Sequence, residues 1–376
     1  MKCRVLIAGG AGFIGTHLSR VLLQRGHQVT VLDNFNPQIH GTTMELPDDL
    51  RKEVKLIRHD VRDSSAWEQA LLGQDIVVHL AAETGTGQSM YKVRHYSDVN
   101  IGGTAALLEL LLTGKYSVRS LVVASSRAIY GEGAYQCSTH QVVYPSPRRT
   151  ADLKVADFEP KCPECGESVS MVPTPETAPF RPSSLYGLTK QVQEQMVLMY
   201  AGTLGINGFA LRYQNVYGPG QSLKNPYTGI LAIFSNQARA GEPIYIFEDG
   251  RESRDFVYIE DVVEATVRCI EADQRPPTAL NVGTGISTSV SAIVDEIIRF
   301  FRSQSSVTIN GAFREGDIRH NCADLSRLKQ ELDFVPRCRF EDGIQQFLAW
   351  AQGQELLDRM YESSLSELRG RGLMHG

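Results

Sequence analysis

Short apolar runs alternate along the chain with segments in which apolar positions recur every three or four residues. The apolar runs predict buried β-strands at 4–8, 28–32, 55–58, 75–80, 118–124 and 207–212. The periodic segments predict helices at 13–25, 65–72, 102–112, 184–204, 259–272 and 289–303. Strands that alternate with helices form right-handed βαβ units, so the pattern predicts an α/β fold with a doubly wound parallel sheet.

The alternation stops between residues 131 and 182, a stretch that is rich in Pro, Ser, Thr and Cys and shows no steady period. A loop of this length without structure of its own is uncommon inside a compact domain. The segment therefore predicts a functional insertion that carries its own cross-link.

The composition is that of an ordinary globular protein of 376 residues, with 42% hydrophobic and 22% charged residues. A net charge of -5 argues against a nucleic-acid partner, and no apolar run approaches the roughly 20 residues of a membrane helix. Seven scattered cysteines, an odd number, argue against a secreted disulfide scaffold. We therefore expect a cytoplasmic protein with a small-molecule partner and no membrane contact.

A glycine-rich turn, Gly9-Gly-Ala-Gly-Phe-Ile-Gly15, joins the first predicted strand to the first predicted helix. Gly9 permits the tight turn, Gly12 lets the backbone approach a pyrophosphate, and Gly15 allows helix and strand to pack closely. The N-terminus of the helix adds N–H donors and the positive end of its dipole. Because the turn stands between a strand and a helix, it predicts a dinucleotide site on a Rossmann-type sheet.

Asp33 ends the second predicted strand, 18 residues after Gly15. A carboxylate at this place accepts hydrogen bonds from the ribose hydroxyls of NAD and repels the additional phosphate of NADP. No Arg follows in residues 34–37 to bind that phosphate, so the sequence predicts NAD. Asp60 follows the third strand, where it either borders the adenine or occupies a plain turn.

Three polar side chains indicate the chemistry. Tyr186 and Lys190 are four residues apart on the predicted helix 184–204 and therefore share one face of it. A neighbouring cation favours the phenolate of a tyrosine, whose ordinary pKa is about 10, and lets it act as a base. Ser126 follows the fifth strand together with Ser125, at the edge where doubly wound sheets bind ligands. Each motif also occurs by chance, but their combination and order predict an NAD-dependent enzyme.

With these motifs, the chain resembles the extended short-chain dehydrogenase/reductase family, in its branch of NAD-dependent sugar-nucleotide epimerases and dehydratases. Further matching segments span nearly the whole chain, at 77–82, 98–100, 211–219, 254–261, 281–283 and 314–317. The resemblance implies a Rossmann-type N-terminal domain with a smaller C-terminal substrate-binding domain. We place the first at 1–195, with the insertion 131–182 and a later return at about 230–275, and mainly the second at 196–376.

By that resemblance, Ser126, Tyr186 and Lys190 are catalytic. The residues that bind the cofactor are then Gly9, Gly12, Phe13, Ile14, Gly15, Asp33, Asn34, Asp60, Val61, Leu80, Ala81, Ala82, Asn100, Ser125, Tyr186 and Lys190. The sugar nucleotide is held by Ser126, Asn215, Arg254, Arg314 and Asp317, with the arginines on its diphosphate. A guanidinium suits this task because its fixed fork of donors matches phosphate oxygens.

Two departures from the pattern of the family concern residues 127–128 and 214. Related dehydratases have an Asp-Glu pair directly after the catalytic Ser or Thr, and here Arg127 and Ala128 take these places. The acid–base pair for eliminating water is therefore missing. Gln214 stands where many 4-epimerases have an aromatic residue, so the sugar preference stays open.

Within the insertion, Cys162-Pro-Glu-Cys165-Gly166 has the form of a zinc knuckle, whose turn directs two sulfurs to one point. Cys137 and His140 form a second close pair upstream of it. Together the four residues are either the ligands of a structural zinc ion or four unligated side chains.

The sequence thus predicts 4-epimerisation of a nucleotide-activated hexose through a transient 4-keto sugar, with NAD as cofactor, in a homodimer. The resemblance leans towards a dTDP-6-deoxyhexose such as dTDP-L-rhamnose. Two alternatives stay open: an NAD(P)-dependent reductase or dehydratase of a nucleotide-linked keto sugar, and a non-catalytic protein that senses NAD. Net consumption of reduced cofactor identifies the reductase, whereas the complete set of Ser126, Tyr186 and Lys190 argues against the sensor.

Overall fold

The computed structural model describes residues 2–223, 229–356 and 360–376. Its strands are β1 (Arg4–Ala8), β2 (Gln28–Asp33), β3 (Lys55–Arg58), β4 (Ile76–His79), β5 (Ser120–Ser126), β6 (Tyr135–Cys137), β7 (Gln141–Val143), β8 (Ser170–Met171), β9 (Asn207–Tyr213), β10 (Asn215–Tyr217), β11 (Ile244–Ile246), β12 (Ser253–Tyr258), β13 (Thr278–Val282), β14 (Ser287–Ser289), β15 (Val307–Ile309), β16 (Phe313–Arg314) and β17 (Met374–His375).

The helices are α1 (Phe13–Gln24), α2 (Pro37–His40), α3 (Asp48–Arg51), α4 (Ser64–Leu71), α5 (Thr86–Ser89), α6 (Val93–Tyr96), α7 (Gly103–Leu112), α8 (Thr150–Leu153), α9 (Leu185–Leu204), α10 (Ile230–Ala240), α11 (Ile259–Glu271), α12 (Val290–Phe301), α13 (Ser326–Leu332), α14 (Phe340–Gln352) and α15 (Met360–Gly370). A π-helical segment, Ser97–Gly102, leads into α7, and a 3₁₀ turn, Arg127–Ile129, follows β5. None of the described helices is both long enough and apolar enough to cross a membrane.

The central sheet has seven strands in the order β13-β9-β5-β4-β1-β2-β3, and all its pairings are parallel. This is the doubly wound sheet that the sequence predicts. Each strand and helix predicted from the apolar pattern is present, with ends that differ by two residues at most.

Alternate residues of β1 enter two different cores. Val5 and Ile7 pack in the core shared with α1 and α11, whereas Leu6 and Ala8 pack in the core shared with α4 and α7. All four side chains are fully buried. Burial on both faces explains why the strand is a continuous apolar run rather than an alternating one.

Two strands of the central sheet, β9 and β13, follow residue 195. Helix α11 also returns to the sheet and packs against α1. The predicted limit at about residue 195 is therefore not a limit of the sheet, because the chain crosses back to it. The division into a cofactor-binding and a substrate-binding domain stays a prediction.

The insertion has regular structure that its sequence pattern does not reveal. Strands β7, β6 and β8 form a three-stranded antiparallel sheet in that order. Its small core contains the buried side chains Tyr135, Val143 and Val169 together with Cys137 and Cys162. The strands are two or three residues long, which is too short for an alternating pattern to be recognised.

Candidate active site

The glycine-rich turn lies between β1 and α1, and its backbone leaves no room for side chains. Gly9 has a φ of 79°, and a Cβ there would lie 2.6 Å from the backbone nitrogen of Ala81. A Cβ on Gly15 would lie 2.5 Å from the Cα of Gly10. Gly12 precedes α1, and no side chain caps the helix. The first amides of α1 are thus available to an anionic group, which fits the pyrophosphate of a dinucleotide.

A cleft opens at the carboxyl ends of the central strands. Most of the predicted cofactor residues line it, namely Gly9, Gly12, Phe13, Ile14, Gly15, Asp33, Asn34, Val61, Leu80, Ala81, Ala82, Ser125, Tyr186 and Lys190. Asp60 and Asn100 are not among the lining residues. The carboxylate of Asp60 accepts hydrogen bonds from Asn34 and Arg62, and the amide of Asn100 bonds to the backbone of Glu83 and to Thr189.

The carboxylate of Asp33 is held by the backbone around it. It is buried and accepts hydrogen bonds from the amides of Ala11, at 3.0 Å, and Phe35, at 2.9 Å. These bonds fix a negative charge at the end of β2, beside the glycine-rich turn. A fixed carboxylate here fits the ribose of NAD and disfavours the phosphate of NADP.

The three predicted catalytic residues come together in the same cleft, Ser126 from β5 and Tyr186 and Lys190 from α9. The first turn of α9 packs directly against the turn after β5, since a Cβ on Gly187 would lie 2.5 Å from the carbonyl oxygen of Ala128. Ser184 caps this helix by accepting a hydrogen bond from the Gly187 amide. A glycine after Tyr186 is therefore what allows the tyrosine to approach Ser126.

Burial and neighbouring charges act in opposite directions on these groups. Burial raises the pKa of Tyr186, whereas its hydrogen bond with Ser126 and the charge of Arg127 lower it. Burial lowers the pKa of Lys190 to about 7. The Lys190 ammonium donates to the carbonyl oxygen of Ala124 at 2.7 Å and to Oε1 of Gln193 at 2.8 Å.

A buried ion pair that was not predicted from the sequence joins the helix of the catalytic residues to β9. Glu194 lies one turn after Lys190 and pairs with Arg212 of β9 at 2.5 Å. Arg212 also donates to the hydroxyl of Tyr130 at 2.7 Å. The signal was present in the sequence, because residues 186, 190 and 194 follow each other at helical spacing, so that a charged residue continues the buried face of α9.

The predicted diphosphate ligands form one cluster. Arg254 donates to Asp317 at 3.0 Å, and Arg314 lies 3.7 Å from the same carboxylate. Burial acts to raise the pKa of Asp317, but the nearby arginines bring it down to about 2. Asn215 lines the cleft and accepts a hydrogen bond from Nε of Arg127 at 3.0 Å. Of the five residues predicted to bind the sugar nucleotide, Arg254, Arg314 and Asp317 thus lie together. The other two, Asn215 and Ser126, line the cleft.

The four Cys and His residues of the insertion converge on one point, with their ligand atoms within 4.8 Å of one another. The Sγ atoms of Cys137 and Cys165 are 3.8 Å apart. Nδ1 of His140 lies 3.7 Å from the Sγ of Cys137 and 3.5 Å from that of Cys162. Gly166, directly after the knuckle, has a φ of 77° that suits glycine.

Comparison with known proteins identifies the family. The model of the NAD dependent epimerase/dehydratase family matches residues 5–150 and 162–283, more than half of the chain. The chain belongs to this family. The resemblance inferred from the motifs is therefore confirmed, and the unmatched residues 151–161 fall inside the insertion.

Individual relatives cover nearly the whole chain. The dTDP-L-rhamnose 4-epimerase of Burkholderia thailandensis is 39% identical over 358 residues, which are 94% of this chain and 96% of that protein. The structure of the Thermus thermophilus UDP-glucose 4-epimerase in complex with NAD has a TM-score of 0.72 and 28% identity, and the match covers 94% of this chain and 100% of that one. The structure of the Thermotoga maritima UDP-glucose 4-epimerase with UDP-glucose has a TM-score of 0.72 and 28% identity, and the match covers 93% of this chain and 98% of that one.

Proposed function

We propose that the protein is an NAD-dependent 4-epimerase of a nucleotide-activated hexose. One juxtaposition carries the proposal: Ser126, Tyr186 and Lys190 share a cleft with the glycine-rich turn and Asp33. The two positions after Ser126, where related dehydratases have acidic residues, hold Arg127 and Ala128. The site therefore has groups for moving a hydroxyl proton and a cofactor hydride, but lacks the acid–base pair for eliminating water.

The protein's own residues account for the proton transfer. Tyr186, as phenolate, removes the proton of the C4 hydroxyl, and Ser126 donates a hydrogen bond to the same oxygen. The glycine-rich turn and Asp33 would hold NAD, which would supply reversible hydride transfer at C4 of the sugar. The cofactor is regenerated in each cycle, so an epimerase consumes none.

For the substrate we propose a dTDP-6-deoxyhexose, with dTDP-L-rhamnose as the first candidate. The support is the 39% identity with the dTDP-L-rhamnose 4-epimerase of Burkholderia thailandensis, over almost the full length of both chains. Arg254 and Arg314 supply two cations for the diphosphate. Both are held beside Asp317, which keeps them in place before a phosphate arrives.

The test is incubation with a panel of nucleotide sugars without added cofactor, with the C4 configuration measured by NMR. We expect conversion of dTDP-L-rhamnose to its C4 epimer and no net change in cofactor redox state. Conversion that requires stoichiometric reduced cofactor would instead identify a keto-sugar reductase. Tight NAD binding without turnover of any sugar in the panel would favour the NAD-sensing alternative.

We also propose a structural zinc ion in the insertion, bound by Cys137, His140, Cys162 and Cys165. Tetrahedral zinc with ordinary bond lengths places two sulfurs about 3.8 Å apart and a sulfur and a nitrogen about 3.6 Å apart. Three of the six separations are 3.5–3.8 Å and fit that geometry, and all four ligand atoms lie within 4.8 Å of one another. Elemental analysis of the purified protein should find about one zinc per chain.

The insertion connects to the segment that carries the predicted diphosphate ligands. Arg148 donates to both oxygens of Glu248 at 2.8 Å and to the carbonyl oxygen of Asp317 at 3.1 Å. Thr150 donates to Glu315 at 2.8 Å. We therefore propose that zinc stabilises a flap that holds residues 315–317 beside the sugar nucleotide.

We propose a homodimer as the assembly. Leu112 on α7, and Leu188 and Met199 on α9, are exposed apolar side chains. Helices α7 and α9 are neighbours, so a second copy packed on them would bury these side chains from both chains. Light scattering coupled to gel filtration measures the mass, and Met199→Glu should shift it towards the monomer.

A cytoplasmic location also stays a proposal. All seven cysteines are free thiols in the structure, and free thiols and thiolate metal ligands persist in a reducing compartment. Fractionation of cells with an antibody against the protein tests this.

A further inference from the structure

Arg127 is a cation in the active-site cleft that has no carboxylate partner. Its Nε donates to Oδ1 of Asn215 at 3.0 Å. Within the described part of the chain, its two terminal nitrogens have neither a hydrogen-bond partner nor a salt bridge. Asn215 is neutral, so the charge of Arg127 is not compensated by direct contact.

Three arginines with buried side chains are paired with acids. Arg148 bonds to Glu248 at 2.8 Å, Arg212 bonds to Glu194 at 2.5 Å, and Arg319 bonds to Asp249 at 2.7 Å. Burial lowers the pKa of Arg127 to about 10, and Arg254 acts in the same direction. The guanidinium therefore stays protonated at neutral pH although it has no acidic partner.

The backbone holds Arg127 close to the proposed base. Arg127 follows Ser126 directly and begins the 3₁₀ turn against which the first turn of α9 packs. The contact of Gly187 with Ala128 sets the separation of these two turns. Tyr186 and Arg127 line the same cleft.

Polar and charged groups near Tyr186 come from α5, from β5 and the turn after it, and from α9; on α5, the Ser89 hydroxyl accepts a hydrogen bond from the Tyr186 amide. From β5 and the turn after it come Ser126 and Arg127, and from α9 itself comes Lys190. On the substrate side, Arg254 and Asp317 act on Arg127 with opposite signs. The described neighbours that lower the pKa of Tyr186 are Ser126 and Arg127.

Lys190 is a second cation on the face of α9 that carries Tyr186, and other groups hold its ammonium. Its ammonium is used by the carbonyl oxygen of Ala124 and by Gln193. Burial lowers the pKa of Lys190 to about 7, so its charge is sensitive to pH near neutrality. Arg127 carries its charge throughout this range.

We infer that Arg127 is a positioning residue for the base, and that its unpaired guanidinium stabilises the phenolate of Tyr186. The inference rests on the proposed epimerase function, in which Tyr186 removes the hydroxyl proton. A positive charge near a phenol favours its ionised form, so removing Arg127 moves the ionisation of Tyr186 to higher pH.

The experiment compares the pH dependence of kcat/KM in wild type, Arg127→Gln and Arg127→Lys. In Arg127→Gln we expect the acid limb of the profile to move to higher pH by about one unit. At neutral pH kcat/KM should therefore fall by about tenfold, and it should recover at high pH. Arg127→Lys keeps the charge and should keep most of the wild-type profile. Arg314→Met, a matched loss of a binding arginine, should raise KM and leave the acid limb unchanged.

A second readout does not depend on turnover. The absorbance of tyrosinate is measured against pH in wild type and in Tyr186→Phe, and the second curve is subtracted from the first. The same subtraction is made between Arg127→Gln and the Arg127→Gln/Tyr186→Phe double variant. Each difference isolates Tyr186, and we expect its ionisation at higher pH without Arg127. The inference would be overturned if Tyr186 ionised at the same pH with and without Arg127. It would also be overturned if Arg127→Gln lost activity equally at every pH. An inactive wild type with a shifted titration would instead contradict only the epimerase function.

Discussion

The carboxylate of Glu194 accepts a hydrogen bond of 2.5 Å from the hydroxyl of Ser125. Ser125 was predicted to bind the cofactor and does line the cleft, but its hydroxyl is turned to α9. The bond joins the helix of Tyr186 and Lys190 to the strand end that carries Ser126. The relative position of the three proposed catalytic groups therefore depends on Ser125 and Glu194, neither of which is proposed to take part in the reaction.

The first prediction concerns the ion pair of Glu194 and Arg212. Both side chains are buried, so Glu194→Gln leaves a guanidinium without its counter-charge. We expect the free energy of unfolding to fall by about 3–5 kcal/mol, measured by urea denaturation. Asp49→Asn, which removes the exposed partner of Arg20, is the control and should cost about 1 kcal/mol or less. Equal losses in the two variants would contradict a supporting role for Glu194.

The second prediction concerns the base. Tyr186→Phe removes the phenol oxygen and should lower kcat by about 10²–10⁴-fold, as the loss of general acid–base catalysis does. NAD affinity, measured by calorimetry, should be retained because the glycine-rich turn is unchanged. Turnover close to the wild-type rate would exclude Tyr186 as the base.

The third prediction concerns the choice of cofactor. Asp33→Ser removes the charged acceptor beside the glycine-rich turn and should weaken NAD binding by about 10- to 100-fold, the value of a hydrogen bond to a charged group. NADP binding should weaken less or improve. Asp33 also holds the amides of Ala11 and Phe35, so Asp33→Asn, which keeps an acceptor without the charge, serves as the control. A parallel loss of affinity for both dinucleotides would mean that the loop had been disturbed instead.

The fourth prediction concerns pH and the buried lysine. Burial lowers the pKa of Lys190 from 10.5 to about 7. Between these values the unfolded chain binds more protons at this residue than the folded one, so its contribution to stability rises with pH and is least favourable below about 7. The difference in unfolding free energy between wild type and Lys190→Met should therefore rise from pH 7 to pH 10. Parallel curves for the two proteins would show that the lysine is not desolvated.

The fifth prediction concerns the metal. Cys162→Ser should reduce the zinc content from about one per chain. It should also raise KM more than it lowers kcat, because Arg148 of the insertion donates a hydrogen bond to the carbonyl oxygen of Asp317. Cys338→Ser, a thiol outside the cluster, should change neither quantity. Protein that contains no metal and has full activity with an ordered insertion would refute the zinc proposal.

The apolar pattern was sufficient for six of the seven strands of the central sheet, because strands such as β1 are buried on both faces and helices such as α9 are long and regular. The edge strand β13 was not among the predicted strands. The cleft followed from the same information, since the motifs stand at strand ends. The three-stranded sheet of the insertion was missed because strands of two or three residues leave no periodic pattern. The side-chain pairing of Glu194 with Arg212 was missed because it joins residues that only the folded sheet brings together.

Residues that bind substrate are harder to predict from sequence than residues that bind the cofactor. The cofactor loop is local, and Gly9, Gly12 and Gly15 each have a steric role that spacing reveals. Arg254 and Asp317 are 63 residues apart, and only the family resemblance connected them. The side chains of Asp60 and Asn100 form hydrogen bonds within the protein, and their contact with the cofactor stays a prediction.

The strand order also bears on how the chain is made. Strand β9 ends at Tyr213, but its outer neighbour β13 begins only at Thr278. During synthesis at roughly 5–20 residues per second, the intervening residues take about 3 to 13 s, and throughout that time β9 is the open edge of a nearly complete sheet. An open edge pairs readily with other chains. Chaperone demand should therefore concentrate in this interval, and truncated chains that end before residue 278 should aggregate more than those that end after residue 282.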